Sequence, residues 1–116
     1  MENAVNVASA KIVLEKVFLE TYALYFKAHS YHWNVRSSNF HSDHAFLEEQ
    51  YDSLWESLDE IAERLRALDL PAPSSVPSVS ALASGTSKDA MYADLLSGHE
   101  GVISTLRSGI EALEAA

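Results

Sequence analysis

The sequence predicts an all-α fold, a bundle of three long helices joined by one short and one long connection. Two observations carry this: apolar residues recur at threes and fours over three long stretches, and proline and serine collect in a single segment between the second and the third. No internal repeat or extended charge block interrupts the pattern. The first helix is expected from about Ala8 to Val35, with Leu14, Val17, Phe18, Thr21, Leu24, Tyr25, Ala28 and His32 along one face. Asn39 is a natural N-cap for the second, expected over 40–68. Its seam of Phe40, His44, Leu47, Tyr51, Leu54, Leu58, Ile61, Leu65 and Leu68 alternates fours and threes. Pro71, Pro73 and Pro77 end that helix, and the connection 69–86 is expected to hold a short helix near Val76 to Ala83. A connection this long suggests a crossover that lets the third helix run parallel to the second. The third, expected over 87–114, carries Tyr92, Leu95, Leu96, Val102, Ile103, Leu106, Ile110 and Leu113 on its apolar side, with Gly98, Gly101 and Gly109 weakening it locally.

At 116 residues the chain reads as one domain, 1–116, short enough for partner subunits to supply much of its buried surface. It has no cysteine, so a disulfide framework and thiolate metal sites are excluded and any metal must be held by nitrogen and oxygen. The start MENAVNVASAKIVLEKVFLE lacks a basic stretch followed by an apolar run, and no segment has the apolar length of a membrane span, so a soluble, uncleaved, cytoplasmic protein is expected. Eight Lys and Arg against seventeen Asp and Glu give a net charge of −9, which opposes direct binding to DNA phosphates. The same acidity would gather cations, although it also serves solubility alone.

His32, His44, Asp59 and Glu63 form the constellation with chemical content. Asp59 and Glu63 are four apart, one helical turn, so both reach a single cation. His44 precedes Asp59 on the same helix by a rise of about 22 Å, beyond any shared coordination sphere. If the helix packs antiparallel against a second copy about a two-fold axis near residues 51–54, His44 of one chain comes level with Asp59 and Glu63 of the other, and the site forms twice per dimer. Glu48 stands one turn after His44 and can face the same metal, whereas Glu49 points away. Mixed imidazole and carboxylate ligation suits ferrous iron, and zinc, cobalt or manganese as well. Taken singly, each histidine also reads as a hydrogen-bonded core or interface residue, and the Asp59–Glu63 pair as a solvated face neutralised by Arg64 and Arg66.

Over residues 8–68, the segments HWNVRSSNF, the following His44, EEQYDSL and LDEIAERLRAL resemble the Dps family of mini-ferritins. HWN, a histidine twelve residues after His32, and then the Asp and Glu of DEIAER match that family's ferroxidase signature. The resemblance implies a ferritin-like bundle with His32 and His44 as ligands from one subunit and Asp59 and Glu63 from its two-fold partner. It places Glu48 where the family often has a further acidic ligand. Trp33 matches the tryptophan beside the site, an electron donor in the family reading and an aromatic interface anchor in the plainer one. His29 and His41 fall outside the pattern and read as ordinary polar residues near the site entrance. His99 is given no metal role. No Glu-x-x-His occurs, which favours an inter-subunit site over one built inside a single bundle. The resemblance also implies a fourth long helix after the third. Only three are present before the sequence ends at EALEAA, so an apolar seam should be exposed.

The function expected from this likeness is a ferroxidase that binds ferrous iron at a two-fold inter-subunit site and oxidises it with peroxide or oxygen, sequestering iron and protecting against oxidative stress. The implied partners are further copies of the chain, as a dimer or a dodecameric shell. A structural or assembly protein with a vestigial metal site is the alternative, and a DNA-condensing protein would need a basic tail that this sequence lacks.

Overall fold

Helix α1 (Ala4–Asn34) is the centre of the molecule, and α2 (Phe40–Ala67) and α3 (Lys88–Ala115) pack against it from two sides. The computed structural model describes residues 4–115, with side chains from Asn6 to Glu114, so the ends of the expected 1–116 domain lie outside the described residues. A helix with two neighbours needs a wide apolar face, which α1 has: Val17, Thr21, Leu24, Ala28, Tyr31 and His32 are all buried. Leu24 at 2% exposure and Leu47 at 0% each contribute about 1.5–3 kcal/mol of burial free energy.

Both neighbours run antiparallel to α1. Along α2, His44 meets His32 while Trp55 meets Tyr25. Along α3, Asp94 meets Lys27, Thr105 meets Glu20 and Gly109 meets Val13. It follows that α2 and α3 are parallel to each other, with Tyr92 on Asp43 and His99 on Gln50 in one constant register.

Asn39 stands at the N-cap of α2 but makes no side-chain capping bond, which corrects the expected role. Ser37 ties that residue to the first turn instead: its Oγ accepts the Asn39 N–H at 3.1 Å and donates to the Asp43 carboxylate at 2.6 Å. The C-terminus of α2 closes in a Schellman motif, with Leu70 N–H bonded to the Leu65 carbonyl and Asp69 N–H to the Arg66 carbonyl, both at 3.0 Å. Asp69 occupies the left-handed position of that motif at φ 62°.

The connection runs back along the bundle without helix, so the short helix expected near 76–83 does not form. Two physical reasons apply. Pro73 and Pro77 push the residues before them into extended backbone. The segment must also return the length of the 28-residue α2, about 42 Å, and a helix over 76–83 would give up about 14 Å of reach. Tyr31 anchors this strap, its hydroxyl accepting the Leu82 N–H at 3.1 Å and donating to Asp94, and Ala81 packs on the core.

Ser87 caps α3 by accepting the Ala90 N–H at 3.2 Å. Met91 and Leu95 bury against α1, but Leu96, Ile103, Leu106 and Ile110 are exposed. The expected apolar side of α3 therefore divides, because α1 and α2 cover one edge of it and no described helix covers the other. Gly98 and Gly109 face Leu24 and Val13 so closely that an added Cβ would collide with either, and their cost in helix propensity is offset by a close approach to α1.

Candidate metal centre

The short connection after α1 returns the chain so that His32, in the last turn of α1, faces His44, near the start of α2. Their rings stack with centroids 3.6 Å apart and planes at 21°. Each Nδ1 lies 2.7 Å from the other residue's backbone carbonyl oxygen, a reciprocal pair of hydrogen bonds. A carbonyl oxygen only accepts, so Nδ1 carries the proton in both rings, and Nε2 is the nitrogen left to each neutral ring as a metal ligand. A metal-ligating histidine is usually held in this way, the second nitrogen fixing tautomer and orientation. Both side chains thus fit a divalent metal.

The carboxylates stand apart from this pair. Asp59, Glu63 and Glu48 are exposed. Asp59 rims a cleft of about 390 Å³ lined by Phe18, Tyr22, Trp55 and Leu58, while Glu63 lies beside Glu60 and Arg64. Among the described residues no group of three or more His, Asp or Glu side chains gathers closely enough to hold a metal within one chain. The structure thus brings together the two histidines and does not bring the acidic residues to them.

An aromatic belt adjoins the pair. His29, set aside from the sequence as an ordinary polar residue, is half-buried between Trp33 at 4.0 Å and Tyr51 at 3.9 Å, with Tyr25 Oη 3.0 Å from its Nδ1. Burial, then the adjacent His32, hold His29 below the ordinary imidazole range, with Asp52 pulling the other way. Trp55 continues the belt on Tyr25 at 5.1 Å. Trp33 and Trp55 are both 58% exposed, a high figure for indole rings and one that leaves this face open. The four-residue steps Tyr25–His29–Trp33 and Tyr51–Trp55 were the available sequence signal.

Asp43, which the sequence reading did not single out, is buried and takes hydrogen bonds from Ser37 at 2.6 Å and Tyr92 at 2.7 Å, with Lys88 Nζ at 3.2 Å. The Ser37 hydroxyl and then Tyr92 hold its carboxyl below the usual range against the opposing effect of burial, and Lys88 adds to them. Burial and the bond to Asp43 push the Tyr92 phenol up.

With the fold and its histidine pair defined, comparison with known proteins gives the class. A ferritin-like domain model matches residues 13–116. DNA protection during starvation protein 2 of Bacillus anthracis is 28% identical over 105 residues, covering 85% of this chain and 72% of that protein. An uncharacterized low temperature-induced protein of Nostoc sp. (strain PCC 7120) is 33% identical over 106 residues, covering 85% of this chain and 59% of that one. Antigen TpF1 of Treponema pallidum is 46% identical over 59 residues, 51% of this chain and 33% of the antigen. The chain thus spans 59% and 33% of the length of these last two relatives, less than two thirds of each. The structure of Dps from Microbacterium arborescens in the high iron form matches with a TM-score of 0.75 at 22% identity, covering 99% of this chain and 80% of that one. The chain belongs to the ferritin-like domain family. Within that family it is Dps-like, similar to the starvation-protection protein of Bacillus anthracis and to the Dps of Microbacterium arborescens. No described helix is long and apolar enough to cross a membrane.

Proposed function

We propose that two copies of this chain bind ferrous iron, as substrate, between His32 and His44 of one and Asp59 and Glu63 of the other, and pass its electrons to peroxide or oxygen. The observation that carries this reading is the reciprocal Nδ1–carbonyl lock, which engages both Nδ1 atoms and leaves Nε2 as the ligating nitrogen of each ring. The exposure of Trp33, Trp55, Asp59 and Glu63 supports it, because a second copy would have an open face to meet. With peroxide, two ferrous ions give up one electron each, the O–O bond breaks, and the reduced oxygens take up protons. The chain's part is to hold the metal on neutral imidazoles and to supply carboxylates that stabilise the ferric charge. Glu48, one turn from His44, is a further acidic ligand in this reading, and zinc or another divalent ion can occupy the same donors. Trp33, seated against His29, serves as a nearby electron donor that intercepts oxidising by-products. Iron sequestration in a homo-oligomer, a dodecameric shell in the fullest form, and a cytoplasmic setting complete the reading.

Ferrous oxidation followed by absorbance after peroxide addition, together with light scattering of the same sample, tests it. Asp59→Ala should abolish rapid oxidation and leave the oligomer unchanged. Unchanged oxidation in that variant refutes the ligand assignment, and a wild-type dimer without oxidation favours a structural role with a vestigial site.

A further inference from the structure

Asp43 precedes His44 on α2 and is neither a member of the imidazole pair nor one of the carboxylates assigned to iron. It joins three segments. Ser37 reaches it from the α1–α2 connection, and Tyr92 and Lys88 reach it from α3. The parallel arrangement of α2 and α3 brings both helix N-termini to this point, where a buried anion is favoured by the partial positive charge of each. Asn39 gives α2 no side-chain cap bond, and the bonds of Asp43 and Ser37 tie its first turn to the preceding connection and to α3. His44 follows directly on that turn, its carbonyl accepting the His32 proton and its ring donating to the His32 carbonyl. Both bonds are 2.7 Å long, and a slide of α2 by about 1 Å takes either out of hydrogen-bonding range.

We infer that Asp43 is the positioning residue of the imidazole pair, transmitting the grip of Tyr92 and Lys88 on α3 into the metal affinity of His32 and His44; this rests on the metal-binding reading above. An apolar side chain of similar size at 43 would fill the space but leave α2 free to shift and the Tyr92 hydroxyl without its acceptor. Helix α3 contributes no ligand, yet it is coupled to the site through this carboxylate.

Titration of the whole chain with Co²⁺ alone, read by its visible ligand-field absorption, tests the coupling. Asp43→Leu should weaken binding about tenfold or more and change the band shape, because partners that orient metal-ligating histidines typically contribute about 10–100-fold. Tyr92→Phe should weaken binding several-fold, and Asp43→Asn, which keeps an acceptor for Tyr92, should recover part of what Asp43→Leu loses. Unchanged affinity and band shape in Asp43→Leu and Tyr92→Phe, alongside loss of binding in His44→Ala, overturns the positioning role and leaves the metal site standing. Equal behaviour of wild type and His44→Ala overturns the metal site, and the positioning role with it. Should Asp43→Leu fail to fold, imidazole nitrogen–proton correlations on Tyr92→Phe decide: mixed tautomers at His32 or His44 support the coupling, and unchanged Nδ1 protonation at both refutes it.

Discussion

Adding one methyl group at Gly109 should destabilise this protein, although the same change in an open helix would stabilise it. Glycine in a helix interior costs about 0.8–1.0 kcal/mol relative to alanine, so propensity alone predicts a gain. At Gly109 a Cβ would stand 2.5 Å from Val13 Cγ1, 2.8 Å from Cγ2 and 3.2 Å from Cβ, against an ordinary carbon contact of about 3.5–4.0 Å. Both γ carbons of Val13 are in the way, and a β-branched side chain has no alternative rotamer that clears both. Helices α1 and α3 must therefore part, at an overpacking cost of about 1–3 kcal/mol. The net loss for Gly109→Ala is then about 1 kcal/mol, or a fall in Tm of about 4 °C for a domain of this size. Gly101 is the internal control: its Cβ would meet only Glu20 Oε2 at 3.4 Å, so Gly101→Ala should raise Tm by a similar amount. Thermal unfolding of both variants by circular dichroism, at one protein concentration, measures the difference, in which the propensity gain cancels. Equal shifts in the two variants would refute the close-approach argument. Recovery in Val13→Ala/Gly109→Ala would identify the contact responsible.

Asp69 holds a left-handed backbone at φ 62°, so Asp69→Gly should stabilise by about 0.5–1 kcal/mol, and a lower midpoint in urea would contradict the Schellman assignment. Leu47 is fully buried, and Leu47→Ala should cost about 2–5 kcal/mol in the same assay. The Tyr31 phenol is pushed up to about 12, by burial first and then by its bond to Asp94, while the Leu82 N–H acts in the opposite direction. Unfolded tyrosine titrates near 10, so the contribution of Tyr31 is complete below about pH 10 and is lost as pH rises towards 12. Tyr31→Phe should be less stable at neutral pH by about 1 kcal/mol and lose less on going from pH 9 to 11.5, and a parallel alkaline loss in both proteins would show that Tyr31 is not the group responsible.

Helical periodicity and the placement of prolines were enough to read three helices and a crossover, because both are local properties of the chain. The strap over 76–83 was misread since its apolar residues satisfy a helical pattern, and only the distance back to the start of α3 makes extended backbone necessary. The exposed seam on α3 was expected, but which of its residues would form it was not legible. Periodicity marks Leu96, Ile103 and Ile110 as apolar but does not tell how many neighbours will cover them. At the site, the spacing of His32 and His44 was legible, but their mutual carbonyl bonds depend on how a short connection turns. Asp43 carried no signal. An acid in the first turn of a helix is usual, and its partners Tyr92 and Lys88 are remote in sequence and meet it only through the crossover.

The strap also sets an order of events during folding. Contacts between α1 and α2 close a short loop, so the hairpin that stacks His32 on His44 needs little chain entropy to form. Contacts of α3, such as Glu20 with Thr105, join residues 85 apart and have to wait for the long segment to return. The imidazole pair can therefore assemble in the first half of the chain to fold, and the docking of α3 then locks a pair whose two rings are already stacked.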